Sequence, residues 1–372
     1  MRNVARWLVL ITGLILCLAV VSCGGGGNEG NGGGGGGGGS SSGGSSGGAG
    51  GGETTMMSGG SGGGGQVSGE LAIEGSSTVQ PITQAVAEGF KEQNPDVRIT
   101  VGGAGTGDGF EIFCKGETQI SDASRPIEVD EQEACEQNDV EYIEVVVAYD
   151  GISFVVNSQG NDWAQDITSA ELKKIWEPGS KVDSWSQVRS EWPDNPLGPS
   201  ELFGPGSESG TFDFFAETIA DPDAEEPALR TNYQASENDN QLVQGVAGNP
   251  NALGFFGYSY YENNKDVLRA LKLDGIAPTT QTIRAGEYPL SRPLFFYVNA
   301  AAVDENKAVE PFVDFYLGDL DKFVEQAQYV TLPASLEQAS KDHWEARATG
   351  TVFDENGEPK GGDLETAFKQ SQ

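Results

Sequence analysis

Glu70-Leu-Ala-Ile-Glu-Gly-Ser-Ser-Thr-Val-Gln-Pro-Ile-Thr-Gln-Ala-Val-Ala-Glu-Gly-Phe90 decides the fold class. Residues 70–75 read as a short strand and Ser76-Ser-Thr78 as a turn. A helix follows, with Ile82, Val86 and Phe90 at four-residue spacing. Pro81 sits in its first turn, where a missing N–H is harmless. Asn94-Pro95 stops that helix, and residues 97–101 alternate as a second strand. A glycine turn at 102–109 leads to a second helix carrying Phe110, Phe113 and Cys114. Strand, turn and helix keep alternating, which predicts an α/β protein.

Working outward, residues 144–147 and 152–156 form two near-continuous apolar strands with Tyr149-Asp-Gly151 between them. Thr168-Ser-Ala-Glu171 is a capping box opening a helix that runs to Trp176. Residues 253–257 and 294–298 read as strands, and 309–317 as a helix. No internal repeat is visible.

The N-terminal end sets the compartment. Arg2 and Arg6 precede an apolar stretch, 8–21, that is too short for a comfortable membrane span of roughly 20 residues. Val20-Val-Ser-Cys23 closes it as a lipobox, so residues 1–23 are expected to be a lipoprotein signal peptide with Cys23 as the lipidated residue. Cys17 leaves with the peptide. Residues 24–69 are mostly glycine and serine, including an unbroken glycine run at 32–39. Such a stretch buries nothing and acts as a flexible tether, about 35–40 Å in root-mean-square span. The remaining cysteines, Cys114 and Cys135, form an even pair in an exported chain and read as a disulfide.

The formal net charge is −34. That excludes a nucleic-acid partner, because a phosphodiester backbone requires a basic face. An anionic ligand would have to be held by local hydrogen bonds rather than drawn in by long-range attraction. The acid excess is also compatible with adaptation to salt.

Three segments share one design, hydroxyl and glycine residues immediately before an amphipathic helix: Gly75-Ser-Ser-Thr-Val79, Gly103-Ala-Gly-Thr-Gly-Asp-Gly109 and Gly204-Pro-Gly-Ser-Glu-Ser-Gly-Thr211. A helix start presents unpaired N–H groups and a partial positive charge. Glycine admits an anion close to the backbone, and hydroxyls add donors. Such a site holds a tetrahedral oxyanion without a counter-cation. Each loop alone is weak evidence, since such a segment is more often only an N-cap or a tight strand-to-helix connection; three in one exported chain are more specific.

With Ile120-Ser-Asp-Ala-Ser-Arg-Pro126, Ala148-Tyr-Asp-Gly151 and Phe203-Gly-Pro-Gly-Ser-Glu-Ser-Gly-Thr-Phe212 in the same order, the sequence from about 70 to 372 resembles the phosphate-binding proteins of the ABC-type phosphate importer, the PstS family. The resemblance implies a two-lobed periplasmic-binding-protein fold of type II, each lobe a mixed sheet flanked by helices. Lobe 1 would comprise 70–150 and 291–372, and lobe 2 residues 151–290. Crossings would fall near 149–151 and at Tyr288-Pro-Leu-Ser-Arg-Pro293. Inorganic phosphate would lie between the lobes. Ser77, Thr78, the N–H of Val79 and Thr106 would hold it from lobe 1, and Ser209, Gly210 and Thr211 from lobe 2. The implied partner is an ABC-type phosphate permease in the cytoplasmic membrane, met by a lipid-anchored monomer on the periplasmic side or outer surface.

Two positions depart from the family pattern. An aspartate that accepts the ligand's proton is replaced by Ser124, and an arginine that neutralises the anion by Pro205. Arg125 is expected to return the positive charge, and Asp150 or Asp122 to supply the acceptor.

Competing readings are a binding protein for sulfate or molybdate, or a surface sensor or adhesin, on the same fold. An enzyme is disfavoured. The single histidine, His343, stands in a charged helical stretch far from the serine loops, so no serine has a base. No cluster has metal-ligand spacing, and no cofactor is implied.

Overall fold

The computed structural model describes residues 67–372 apart from 208, 223, 225 and 226. The signal peptide, Cys23 and most of the tether therefore lie outside the described residues. Among those described, no helix is long and apolar enough to cross a membrane.

The centre of the molecule is the strand Tyr142–Asn157, buried at every position. The sequence reading divided it in two at Tyr149-Asp150-Gly151. The backbone instead stays extended through those residues. A strand covered on both faces reads as an uninterrupted apolar run, and this one does so apart from Glu144, Asp150, Ser153 and the final Asn157. Its first part, from Tyr142 to Gly151, pairs antiparallel with the strand Ser291–Asn299. From Ile152 to Val156 it pairs antiparallel with Leu253–Gly257. One strand thus belongs to two halves of the sheet, and the partner changes at Gly151.

In the first half the order runs Val97–Val101, Gly69–Gly75, Ile120–Ala123, Ser291–Asn299, then the long strand. The first three are mutually parallel. Helix Gln80–Gln93 makes the crossover between Gly69–Gly75 and Val97–Val101, burying Ile82, Val86, Ala87 and Phe90. Phe90 packs edge-on against Phe312 and Phe315, both at 5.5 Å. In the second half, Leu202–Gly204 and the short Gln234–Ala235 extend the sheet beyond Leu253–Gly257. Helix Gly210–Phe215 is seated there by Phe215, fully buried, with ring centroids 4.9 Å from both Phe154 and Phe255. These two aromatic clusters fix the helix starts that face the cleft.

The glycine turn expected over 102–109 ends at Gly105, because Thr106–Phe113 is already helical. Gly109 therefore serves helix packing rather than the loop, while Gly107 is exposed at the cavity. Gly109 lies so close to Gly75 that a Cβ would come within 2.4 Å of the Gly75 Cα. Cys114 and Cys135 are joined Sγ to Sγ. His343, on helix Ala334–Glu345, is 1 % exposed, with Nδ1 2.9 Å from Ser371 Oγ.

Candidate functional site

A cavity of about 530 Å³ opens between the two halves of the sheet. From the first half it is lined by Ser76, Ser77 and Thr78, by the stretch from Ala104 to Asp108, and by Ser124, Arg125 and Arg292. From the second half come Gly210, Asp213 and Glu217. The backbone at Gly75 makes the first loop possible. Its φ is +137°, and a Cβ there would sit 2.1 Å from the Asp122 carbonyl oxygen. Only glycine enters that turn, after which the Ser76 N–H donates to the same carbonyl at 2.8 Å.

The hydroxyls are arranged in a connected set. Thr106 Oγ1 and Ser124 Oγ lie 3.1 Å apart, and the Ser124 N–H donates to Thr106 Oγ1 at 3.2 Å. The Thr78 N–H donates to Ser76 Oγ at 3.2 Å.

Arg292 ties this set together. Nη1 donates to Ser124 Oγ at 3.2 Å, and Nη2 donates to Thr78 Oγ1 at 2.9 Å. Nη2 also reaches across to the Gly210 carbonyl at 3.0 Å, linking the two halves. Nε faces Asp150 Oδ2 at 3.4 Å, and the guanidinium stacks over Phe214 at 4.0 Å. Its side chain is 13 % exposed and that of Asp150 2 %. The two residues are cross-strand register partners, so their side chains share one face. Burial raises the Asp150 carboxyl above its usual range, and the Arg292 charge acts against that shift.

The sequence-chosen residues divide accordingly. Ser77, Thr78, Thr106, Ser124, Arg125 and Gly210 line the cavity. Val79 is fully buried as the N-cap residue of its helix, while Ser209 and Thr211 cap the helix behind Gly210, the Thr211 N–H donating to Ser209 Oγ at 3.2 Å. Asp150 lies behind Arg292 rather than on the wall. Asp122 is fully buried, with neither carboxyl oxygen in a well-formed hydrogen bond. Burial pushes its carboxyl up to about 8, the Thr83 hydroxyl opposing and Glu74 adding repulsion. It is not among the residues that line the cavity.

Arg125 is already committed. It forms a two-pronged pair with Glu131, both contacts at 2.8 Å, and a third contact of 3.2 Å with Glu128. It remains at the cavity edge with its charge answered by those two acids. The cation set most deeply into the wall is Arg292, which the loop-by-loop reading passed over. Its signal was present in Tyr288-Pro-Leu-Ser-Arg-Pro293, an arginine at the return crossing directly opposite Asp150. Among the described residues no group of acidic, histidine or cysteine side chains has the arrangement to hold a metal ion.

Residues 60–319 match the family model described as a PBP superfamily domain. Protein SphX of Synechocystis is 42% identical over 295 residues, covering 77% of this chain and 86% of that protein. The phosphate-binding protein PstS of Staphylococcus haemolyticus is 39% identical over 274 residues, covering 72% and 82%. Among solved structures, a possible phosphate-binding protein from Planctomyces limnophilus superposes with a TM-score of 0.70 at 42% identity, covering 76% of this chain and 99% of that one. The fold is accordingly the mixed α/β periplasmic-binding fold of type II.

Proposed function

This chain belongs to the PstS family of phosphate-binding proteins, and from that premise we infer that it captures inorganic phosphate outside the cytoplasm and delivers it to an ABC-type import permease. It is a substrate-binding protein and not an enzyme. The observation that carries the reading is Arg292, a desolvated guanidinium bonded to hydroxyls from two separate loops, Thr78 and Ser124, and to the Gly210 carbonyl of a third. A charge-assisted contact is roughly twice as strong as a neutral one, and the planar fork suits an oxyanion. The acidic surface makes this local construction necessary.

The ligand-contacting set is Ser77, Thr78, Thr106, Ser124, Gly210 and Arg292. Ser209 and Thr211 shape the loop, and Asp150 holds Arg292. Gly151, where the long strand exchanges partners, is the hinge between lobe 1 (70–150 with 291–372) and lobe 2 (151–290). Titration calorimetry of the unliganded protein should give one phosphate per chain, with sulfate and molybdate far weaker. Small-angle scattering should show a smaller radius with phosphate than without. Equal affinity for sulfate would move the assignment to a general oxyanion carrier.

The protein is anchored by lipid at Cys23 and acts as a monomer. Cys23→Ala should leave a precursor that no longer partitions with membranes. Retention of that variant in the membrane fraction, with an unchanged N-terminal mass, would contradict the anchor. The Cys114–Cys135 bond persists in the exported protein. With its sequence separation of 21, the closed loop should stabilise the domain by roughly 3 kcal/mol in the chain-entropy picture. Two free thiols on the unreduced, exported chain would count against it.

A further inference from the structure

We propose that Asp122 is a positioning residue for the first loop, an acid kept uncharged behind Ser76-Ser77-Thr78 so that the helix start in front of it answers the ligand alone. Phosphate binding in alkaline solution then draws a proton onto Asp122. The inference rests on the phosphate reading above and adds a proton linkage to it.

The geometry around Asp122 is that of an isolated acid. It lies fully buried in strand Ile120–Ala123, with Gly75 as its register partner. Its carbonyl accepts the Ser76 N–H at 2.8 Å, so a single hydrogen bond joins its backbone to the loop. Its side chain faces the first turn of helix Gln80–Gln93, where the Thr83 hydroxyl neighbours it. Thr83 Oγ1 is in turn 3.3 Å from Tyr316 OH. Both carboxyl oxygens are buried without a well-formed partner.

The titratable groups that face it are Glu74 on the adjoining strand and Tyr316 on helix Val309–Gly318. On its other flanking strand, Ser291–Asn299, the residue opposite is Phe296. Among the described residues no cation pairs with it. A buried carboxylate with neither a cation nor a set of donors takes up a proton rather than stay charged. Burial raises this carboxyl to about 8, with Thr83 opposing and Glu74 adding to the shift. As the acid it gains a donor, and the neighbouring hydroxyl oxygens can accept.

The helix supplies the link to the ligand. Its start carries a partial positive charge, and Ser77 and Thr78 bring that end to the cavity. An ionised Asp122 against the same first turn would draw on that charge from behind. It would also stand as a second anion near a bound dianion. Hydrogen phosphate in front of the helix therefore raises the proton affinity of Asp122 further, and by reciprocity an ionised Asp122 weakens phosphate. The sign follows. Below the pH at which Asp122 ionises in the unliganded protein, its contribution to affinity is fully present. Above it, affinity falls with rising pH, by at most about tenfold per unit for one proton.

The test is calorimetric titration of inorganic phosphate into the wild type and Asp122→Asn at pH 8.5, each in two buffers of different ionisation enthalpy. Dissociation constants are also measured at pH 8 and pH 10. Free phosphate is almost entirely hydrogen phosphate across that range, so its own titration drops out. The wild type should take up about half a proton on binding, and Asp122→Asn, shaped like the neutral acid, far less. Between pH 8 and pH 10 the wild-type dissociation constant should rise at least about fivefold more than that of the variant. Thr83→Val removes a hydroxyl that favours the charged form, so its alkaline fall should begin at higher pH. That variant leaves Asp122 in place and decides the matter should Asp122→Asn fold poorly. No proton uptake by the wild type overturns the assignment, as does equal uptake by Asp122→Asn or an alkaline fall unmoved in Thr83→Val. An Asp122→Asn protein that melts lower yet keeps the wild-type uptake and pH slope makes Asp122 a packing residue only. Should the wild type bind no phosphate at pH 8, the parent reading fails. Tight binding without proton uptake removes only the role given to Asp122.

Discussion

Arg292→Ala is expected to weaken phosphate by about 3–5 kcal/mol, two to nearly four orders of magnitude in dissociation constant, because it removes a buried charged contact. The residue is 13 % exposed and already holds Ser124, Thr78 and Gly210. Arg292→Lys should recover only part, since a point charge cannot fork onto two oxygens. The same substitution strips Asp150 of its cation while leaving its carboxylate buried, and the melting temperature should fall as well. Affinity and stability can be separated by the double variant Arg292→Ala/Asp150→Asn. Neutralising the orphaned carboxylate should restore much of the melting temperature and none of the affinity. If affinity returned with stability, Arg292 would be a scaffold residue only. Arg125→Ala offers the contrast. Its guanidinium is matched by Glu131 and Glu128, so melting should move more than binding.

That contrast marks where the sequence was informative and where it was not. The α/β class, the capping box at Thr168 and the loops at Ser76-Ser77-Thr78 and Thr106 are local signals. Period, caps and glycine spacing act within a few residues, and they can be read from one strand of text. Arg125 was chosen because it neighbours Ser124 in sequence. Both residues lie in the bend after strand Ile120–Ala123 and both line the cavity, but the next helix and its N-cap residue supply Glu131 and Glu128 to take the Arg125 charge. Arg292 stands 142 positions from Asp150 in the chain and becomes its neighbour only through antiparallel register. No local pattern carries that information.

The division of the long strand was misread for a related reason. Tyr149-Asp-Gly151 has turn-like composition, and glycine with aspartate usually ends a strand. Pairing with Ser291–Asn299 on one side and Leu253–Gly257 on the other holds the backbone extended regardless. Tertiary contacts outweigh propensity there, at the point where the two halves of the sheet meet.

Gly210→Ala should abolish high-affinity phosphate binding while leaving the fold intact, with a loss of at least about a thousandfold, or roughly 4 kcal/mol. A Cβ at Gly210 would come within 1.8 Å of Thr78 Oγ1 and within 2.9 Å of both Thr78 Cβ and the Thr78 backbone nitrogen. A hydroxyl can rotate aside, but the backbone of a buried loop at the start of a helix cannot. The contact joins the two halves of the sheet, so the added methyl keeps them apart. The Arg292 bond to the Gly210 carbonyl would then be lost, and with it the closed cavity. In the hinge opening proposed above, Gly210 and Thr78 would part and the conflict would be relieved. Gly210 has an ordinary negative φ, and alanine is a better helix former by about 1 kcal/mol. Melting without phosphate should therefore hold or rise slightly. The stabilisation that a tight ligand confers, which grows with the ratio of its concentration to its dissociation constant, should vanish. Scattering should show the radius of the unliganded protein at every phosphate concentration. A variant that contracts and binds as the wild type does would show that closure does not require Gly210 to meet Thr78.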